Sequence, residues 1–231
     1  MSLANTNRPM RVFEKILGGG LAAGNIGVIM SRHGTGKHAV LTSITLDHAM
    51  DSKNTLHVAI NQSVSDVRAY DDSVLAEILN SLNVVDRTEA LTNVERHKQI
   101  YTYRNEQFSA KRLRQTVEFL IEHAEFRPQL IEINGWPDFR TISVEEMKAL
   151  KGLAVEFDCE VWLSAHTSTD DKVDSRGVPD SISRFDNLLS VMMSLQPDGK
   201  AVALRVIKAS VQPQKGVNLE FDPTTMLIRW R

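Results

Sequence analysis

Residues 27–41 read Gly-Val-Ile-Met-Ser-Arg-His-Gly-Thr-Gly-Lys-His-Ala-Val-Leu. An apolar run leads into a loop with two glycines, and a segment with apolar residues at helical spacing follows. Strand, glycine-bearing loop and helix, in that order, are the setting that a phosphate-binding loop requires. The glycines let backbone N–H groups converge on an anion, and the positive end of the helix dipole adds to the attraction.

The loop matches the phosphate-binding pattern G-x-x-x-x-G-K-[ST] only in part. Lys37 stands where the lysine of such a loop reaches the terminal phosphates, but Ser31 replaces the first glycine. His38 replaces the hydroxyl residue that would bind Mg²⁺. The alternative is an ordinary strand-to-helix turn whose glycines serve only its tight geometry. The candidate nucleotide-binding residues are Ser31, His33, Gly34, Thr35, Gly36, Lys37 and His38.

Length and composition fit one large α/β domain. The chain has 231 residues, of which 42% are apolar and 24% charged, so we expect a flexible arm at 1–11 and a single domain at 12–231. A net charge of −2 gives no global signal for nucleic acid. The sequence contains no apolar run of about 18 residues, the length that a membrane-spanning helix needs, and we expect a cytoplasmic protein. Cys159 is the only cysteine, which excludes an internal disulfide.

The order of apolar patterns predicts the fold class. Strand-like and helix-like segments alternate first, and strand-like runs separated by turn residues follow. This order predicts an α/β fold with a mostly parallel sheet, helices on both faces and antiparallel strands at the C-terminus. The predicted strands are 25–30, 55–60, 100–103, 130–133, 161–165, 188–195, 201–208, 217–221 and 226–230, with a hairpin turn at 197–199 and a mobile loop at 167–184.

Ligands of open α/β sheets bind beyond the carboxyl ends of the strands. Four stretches follow predicted strands and carry polar residues, and we therefore expect them to lie near one crevice. They are 31–38, 61–63, 134–138 and 164–167.

The segment Gly-Gly-Gly-Leu-Ala-Ala-Gly at 18–24, followed by a strand and the loop, resembles the opening of RecA-superfamily ATPases, in particular the KaiC-like branch. By element order the resemblance extends over nearly the whole chain. It implies a RecA-like core that binds ATP or ADP and forms a homo-oligomer, often a hexameric ring, with nucleotide at the subunit interfaces.

Three positions depart from what the resemblance implies for catalysis. The glutamate that polarises the attacking water is replaced by Asn61, whose amide can orient water but cannot accept its proton. The acidic end of the Walker B strand is replaced by Asn134, which supplies no charge for Mg²⁺. The K-x-R pair that reaches a neighbouring subunit's ATP reads Lys208-Ala209-Ser210, and loss of such an arginine can lower the rate by about 10³.

Together with His38, these departures remove the metal ligands, the base and the stabilising charge of one reaction step. We therefore expect nucleotide binding with impaired or absent hydrolysis, assign no catalytic residue and do not expect Mg²⁺ to be held in the usual way. Ser164 and His166 are substitutes for the polar sensor of the γ-phosphate that the family carries. Three of these positions also have a simpler interpretation: Asn134 caps a turn, His38 faces solvent and Lys208 is a strand-edge charge.

Other functions remain open. An active ATPase could recruit Glu132, Asp138 or His166 as unconventional ligands or base. A scaffold for an unknown protein partner would need no nucleotide at all. Nucleic acid ranks lower, because the loop at 167–184 carries four Asp against two Arg and one Lys.

Two further interpretations concern side chains near the loop. A metal could be bound by His33, His38 and His166, although no H-x-x-x-H spacing supports such a site. Trp136 and Phe139 could stack on a nucleotide base, but packing against the core is the expected role of aromatic residues at this position.

Overall fold

The computed structural model describes residues 15–17, 20–82, 86–199, 201–209 and 219–230. Its strands are β1 (Ile26–Ser31), β2 (Thr55–Ile60), β3 (Lys98–Tyr103), β4 (Leu130–Asn134), β5 (Glu160–His166), β6 (Val191–Asp198), β7 (Ala201–Lys208), β8 (Leu219–Asp222) and β9 (Leu227–Trp230). Its helices are α1 (Lys37–Met50), α2 (Val64–Ser81), α3 (Arg87–His97), α4 (Ala110–Ala124), α5 (Val144–Phe157) and the single turn α6 (Asp180–Ser183).

The nine strands form one sheet in the order β3-β2-β4-β5-β1-β6-β7-β8-β9. In this sheet order, each pair of neighbours in β3-β2-β4-β5-β1-β6 is parallel. Each pair of neighbours in β6-β7-β8-β9 is antiparallel. The predicted fold class, a mostly parallel sheet extended by antiparallel C-terminal strands, is confirmed.

Helices cover both faces of the parallel part of the sheet. Val28 and Met30 of β1 pack in the cluster that includes Leu113 of α4 and Leu150 of α5. Ile29, which alternates to the opposite face, packs with Leu41 of α1. Burial on both faces explains why these strands appear in the sequence as continuous apolar runs.

The long helices begin in two different ways. The side chains of Ser63, Asp86, Ser109 and Ser143 each accept a hydrogen bond from the backbone N–H three residues further on, at the starts of α2 to α5. Helix α1 instead follows Gly36, which has a left-handed backbone with φ of 91° and provides no capping side chain. The first N–H groups of α1 therefore have no side-chain cap at the end of the loop.

The sixth strand begins at Val191, three residues later than the range 188–195 that the sequence predicts. Leu188 and Leu189 instead continue the turns after α6, because their N–H groups donate to the carbonyl oxygen of Phe185. At its other end β6 reaches Asp198, which pairs with Ala201 across the predicted hairpin. Pairing along the hairpin therefore lengthens β6 beyond the point where the apolar pattern stops.

The segment 167–184 is not a plain loop. It contains α6 and a β-bridge between Val173 and Pro179. Arg184 at its end donates to the carbonyl oxygens of Phe139 and Ile142 and so attaches the segment to the region after β4. Hydrogen bonds of this kind leave no apolar period in the sequence.

Some predictions fall on residues outside the described ranges. They are the arm at 1–11, Gly18 and Gly19, the start of the strand predicted at 217–221, and Ser210. Within the described ranges, no helix combines the length and the apolar character that a membrane crossing requires.

Candidate functional site

A cavity of about 530 Å³ opens beyond the carboxyl ends of β1, β2, β4 and β5. Each of the four stretches that the sequence places near one crevice contributes to its wall. The residues concerned are His33, Lys37 and His38 from the loop, Gln62, Asn134 and Asp138, and Ser164 and His166. Asp138 is the only one of the lining residues that carries a carboxylate.

The loop at one side of the cavity has the backbone that its glycines predict. Gly34 and Gly36 adopt positive φ angles of 73° and 91°, where a Cβ atom would be strained. Lys37 opens α1, is half-buried and lines the cavity. Burial lowers the pKa of Lys37, and no carboxylate among the described residues forms an ion pair with it.

His33 and His166 form a pair at the mouth of the cavity. Their ring centroids lie 3.8 Å apart with an interplanar angle of 38°. Partial burial and the nearby His33 and Lys37 lower the pKa of His166. The pair therefore favours a neutral imidazole at His166, which can donate or accept a hydrogen bond.

A group of buried polar side chains lies against α1. Glu132 of β4 is fully buried, and its two carboxylate oxygens accept hydrogen bonds from Thr42 and Thr45 of α1. The amide nitrogen of Asn134 donates to Glu132 as well and lies 3.0 Å from Nε2 of His57. The turn-cap interpretation of Asn134 is therefore wrong, because its side chain belongs to this buried group.

His57 of β2 is held from its other side. Its Nδ1 atom lies 3.1 Å from a carboxylate oxygen of Asp71 in α2, and Lys98 donates to the same oxygen at 2.8 Å. Since a carboxylate can only accept, Nδ1 carries the proton, and Nε2 of a neutral His57 is free to accept from Asn134. Sheet order creates this contact, because His57 and Glu132 are direct partners across β2 and β4.

The negative charges of Glu132 and Asp71 favour positive charge on His57. Burial by itself lowers the pKa of His57, but Glu132 and Asp71 outweigh burial, and the net pKa is raised. The pKa of Tyr70 is also raised, to about 12. Burial is the largest cause, and the charges of Glu132 and Asp71 add to it.

His38 connects the loop to the buried group. Its ring lies 6.0 Å from that of His57 and 4.7 Å from that of Tyr70, and its Nε2 atom is buried without a hydrogen-bond partner among the described residues. Burial lowers the pKa of His38, opposed by the charge of Glu132. The interpretation of His38 as a solvent-facing residue is wrong.

Some candidate residues from the sequence lie elsewhere. Ser31 is buried and donates to the carbonyl oxygen of Arg32. The side-chain oxygen of Asn61 accepts from the backbone N–H of Asn105, and Gln62 lines the cavity in its place. Lys208 binds the carboxylate of Asp186 at 3.0 Å and is not a free strand-edge charge.

Thr35 is also buried and belongs to a smaller neighbouring cavity that His33 and His166 line as well. Trp136 and Phe139 are 9% and 5% exposed, which confirms that they pack on the core. Trp136 contacts Phe108 edge to face, and Phe139 contacts Phe185 in the same way.

No protein-family model matches the chain, and a search of curated proteins finds no match. The resemblance to RecA-superfamily ATPases therefore rests on the sequence motifs quoted above.

Sequence reasoning missed His57, Asp71 and Lys98. The signal that could have found His57 is a histidine at the centre of the otherwise apolar strand Thr-Leu-His-Val-Ala-Ile. Glu132 occupies the same place in Leu-Ile-Glu-Ile-Asn. A charged or titratable residue inside a fully buried strand must have partners, because an unpaired one is too costly to bury.

Proposed function

We propose that the protein binds the phosphates of ATP or ADP at the loop that precedes α1, with impaired or absent hydrolysis. The observation that carries the proposal is Lys37, a half-buried cation on the cavity wall that no carboxylate of the described residues neutralises. A phosphate group would supply the missing negative charge. The glycine start of α1 adds N–H groups that lack a side-chain cap.

Weak or absent hydrolysis is supported by the composition of the cavity wall. General-base catalysis needs a group within reach of the attacking water, and Asp138 is the only carboxylate on the wall. Asp138 accepts a hydrogen bond from the backbone N–H of Arg140. Glu132, the other candidate, is fully buried and is not among the residues of the cavity wall. An active ATPase with recruited ligands is for this reason the weaker alternative.

Calorimetric titration with ATP and with ADP, each with and without Mg²⁺, tests the binding step. We expect binding that Lys37→Ala abolishes and that Lys111→Ala, at an exposed position of α4, leaves unchanged. Absence of binding at millimolar nucleotide would overturn the proposal. Phosphate release above background that Lys37→Ala removes would instead support the active ATPase.

The cellular role follows from the resemblance and belongs to the same proposal. In this proposal the chain binds nucleotide without turnover. It acts in the cytoplasm as a regulatory or structural homo-oligomer with a protein partner. Sedimentation with and without ATP tests the assembly, and a monomer under both conditions would contradict it.

Nucleic acid is a poorer partner on electrostatic grounds. Arg176 is bound to Asp174 and Asp186, and Arg140 is bound to Asp171, so these two arginines near the segment 167–184 are already paired. Phosphate-backbone binding draws on unpaired Lys and Arg. A salt-sensitive mobility shift with single-stranded DNA would reverse this ranking.

A further inference from the structure

Within the described residues, one group of His, Cys, Asp and Glu side chains brings its ligand atoms close enough to hold a metal ion. It consists of His38, His57 and Glu132, whose ligand atoms all lie within 4.8 Å of one another. The set of His33, His38 and His166 considered from the sequence does not bring its ligand atoms within this distance.

We propose that His38, His57, Glu132 and the side-chain oxygen of Asn134 form a binding site for a divalent first-row transition metal ion such as Zn²⁺ or Co²⁺. Two imidazoles with a carboxylate favour such an ion over Mg²⁺ or Ca²⁺, which prefer ligand sets made of oxygen alone. The site shares His38 with the loop but does not include Lys37, and it does not depend on nucleotide.

The distances fit a site that contracts slightly around its ion. Bonds of about 2.1 Å place neighbouring ligand atoms about 3.0 to 3.4 Å apart. Nε2 of His57 and the nearer oxygen of Glu132 are 3.8 Å apart, and the Asn134 amide lies 3.0 Å from the same nitrogen. Turning the Asn134 amide over exchanges its nitrogen for its oxygen and makes it a ligand, with no change of backbone.

The outer contacts are those that hold metal ligands in place. Metal-binding histidines usually donate their second ring N–H to a carboxylate, as His57 does to Asp71. The far oxygen of Glu132 accepts from Thr45 at 2.6 Å, and the near oxygen, which Thr42 reaches only at 3.4 Å, is directed at His57 and Asn134. Both ring orientation and carboxylate orientation are thus fixed by groups outside the site.

The remaining requirements are a vacant ligand atom and a route for the ion. Nε2 of His38 is a buried nitrogen without a hydrogen-bond partner among the described residues, although such atoms are nearly always paired. His38 and Asn134 both line the large cavity, which gives an ion access from solvent. One metal ion would satisfy His38 and balance the buried negative charge of Glu132.

The test uses the full chain without an affinity tag, stripped with a chelator and titrated with Co²⁺ and then with Zn²⁺. We expect one ion per chain, visible d–d absorption from Co²⁺ bound to nitrogen and oxygen, and displacement of Co²⁺ by Zn²⁺. His38→Gln should weaken Co²⁺ binding at least tenfold. The exposed His123→Gln serves as the matched control and should bind as the wild type does.

His38 is only half-buried, so its variant is expected to fold, and circular dichroism checks this before titration. Glu132→Gln provides a second variant, with the same expected loss. Stoichiometric binding that is unchanged in both variants would overturn the proposal. Absence of one-to-one binding at about 1 mM free Co²⁺ would overturn it too.

Discussion

Nδ1 of His57 lies 3.1 Å from a carboxylate oxygen of Asp71, and both side chains are fully buried. Lys98, with a side chain only 8% exposed, binds the same oxygen from β3. A buried carboxylate that joins two basic groups from different strands couples β2, β3 and α2. Removing one member of such a group leaves uncompensated charge in the interior.

We therefore predict that Asp71→Asn, which keeps the shape of the side chain, lowers the free energy of unfolding by about 3 to 5 kcal/mol. The neighbouring exposed Asp72→Asn is the matched control and should change stability by less than about 0.5 kcal/mol. Urea unfolding followed by circular dichroism measures both. A loss below about 1 kcal/mol for Asp71→Asn would show that Lys98 and His57 find other partners.

Gly27 supplies a second test, at the centre of the sheet. A Cβ atom at Gly27 would stand 2.6 Å from a ring carbon of Trp162, its partner on β5. Trp162 is almost fully buried and cannot move aside freely. Gly27→Ala should therefore cost about 1 to 3 kcal/mol through overpacking and shift the tryptophan emission.

The matched control is Gly152→Ala. Gly152 lies inside α5 with no atom within 4 Å of an added Cβ, so the variant should gain about 0.5 to 1 kcal/mol from helix propensity. Equal effects of the two substitutions on the denaturant midpoint would contradict the close contact between Gly27 and Trp162.

The fold was predictable because local patterns decide it. Apolar runs such as the one at 28–30 mark strands that are covered on both faces, and Ser109 marks the start of a helix by a capping bond within the same segment. The buried polar group was not predictable in the same way. His57 and Glu132 are 75 positions apart in sequence and become neighbours only because β2 and β4 pair. From its position after a strand Asn134 is expected to be a Walker B replacement or a turn cap, whereas its side chain contacts those two partners.

Cys159 tests the burial of the segment between α5 and β5. Its side chain is fully buried, and burial raises the pKa of the thiol to about 12. Because the thiolate is the reactive form, the native protein should react with thiol reagents at pH 8 far more slowly than the chain unfolded in guanidinium. Reaction of the native protein at the rate of the unfolded chain would contradict this burial.

The same shift predicts a pH dependence. An unfolded thiol ionises above about pH 9 and the folded one does not, so the unfolded chain loses its proton first. The contribution of Cys159 to stability is therefore constant below pH 8 and falls as the pH rises from about 9 towards 12. Cys159→Ala should reduce the slope of unfolding free energy against pH in this range, as measured by urea titration.

Lys37 gives a test in which stability and binding change in opposite directions. Its half-buried ammonium group has no carboxylate partner among the described residues, and burial lowers its pKa. Without ligand the charge destabilises the folded state, so Lys37→Gln should leave the melting temperature unchanged or raise it. Bound ATP or phosphate stabilises the native state in proportion to the logarithm of ligand concentration, and this rise should be lost in Lys37→Gln. A ligand-free variant that melts below the wild type would mean that Lys37 serves the fold rather than an anion.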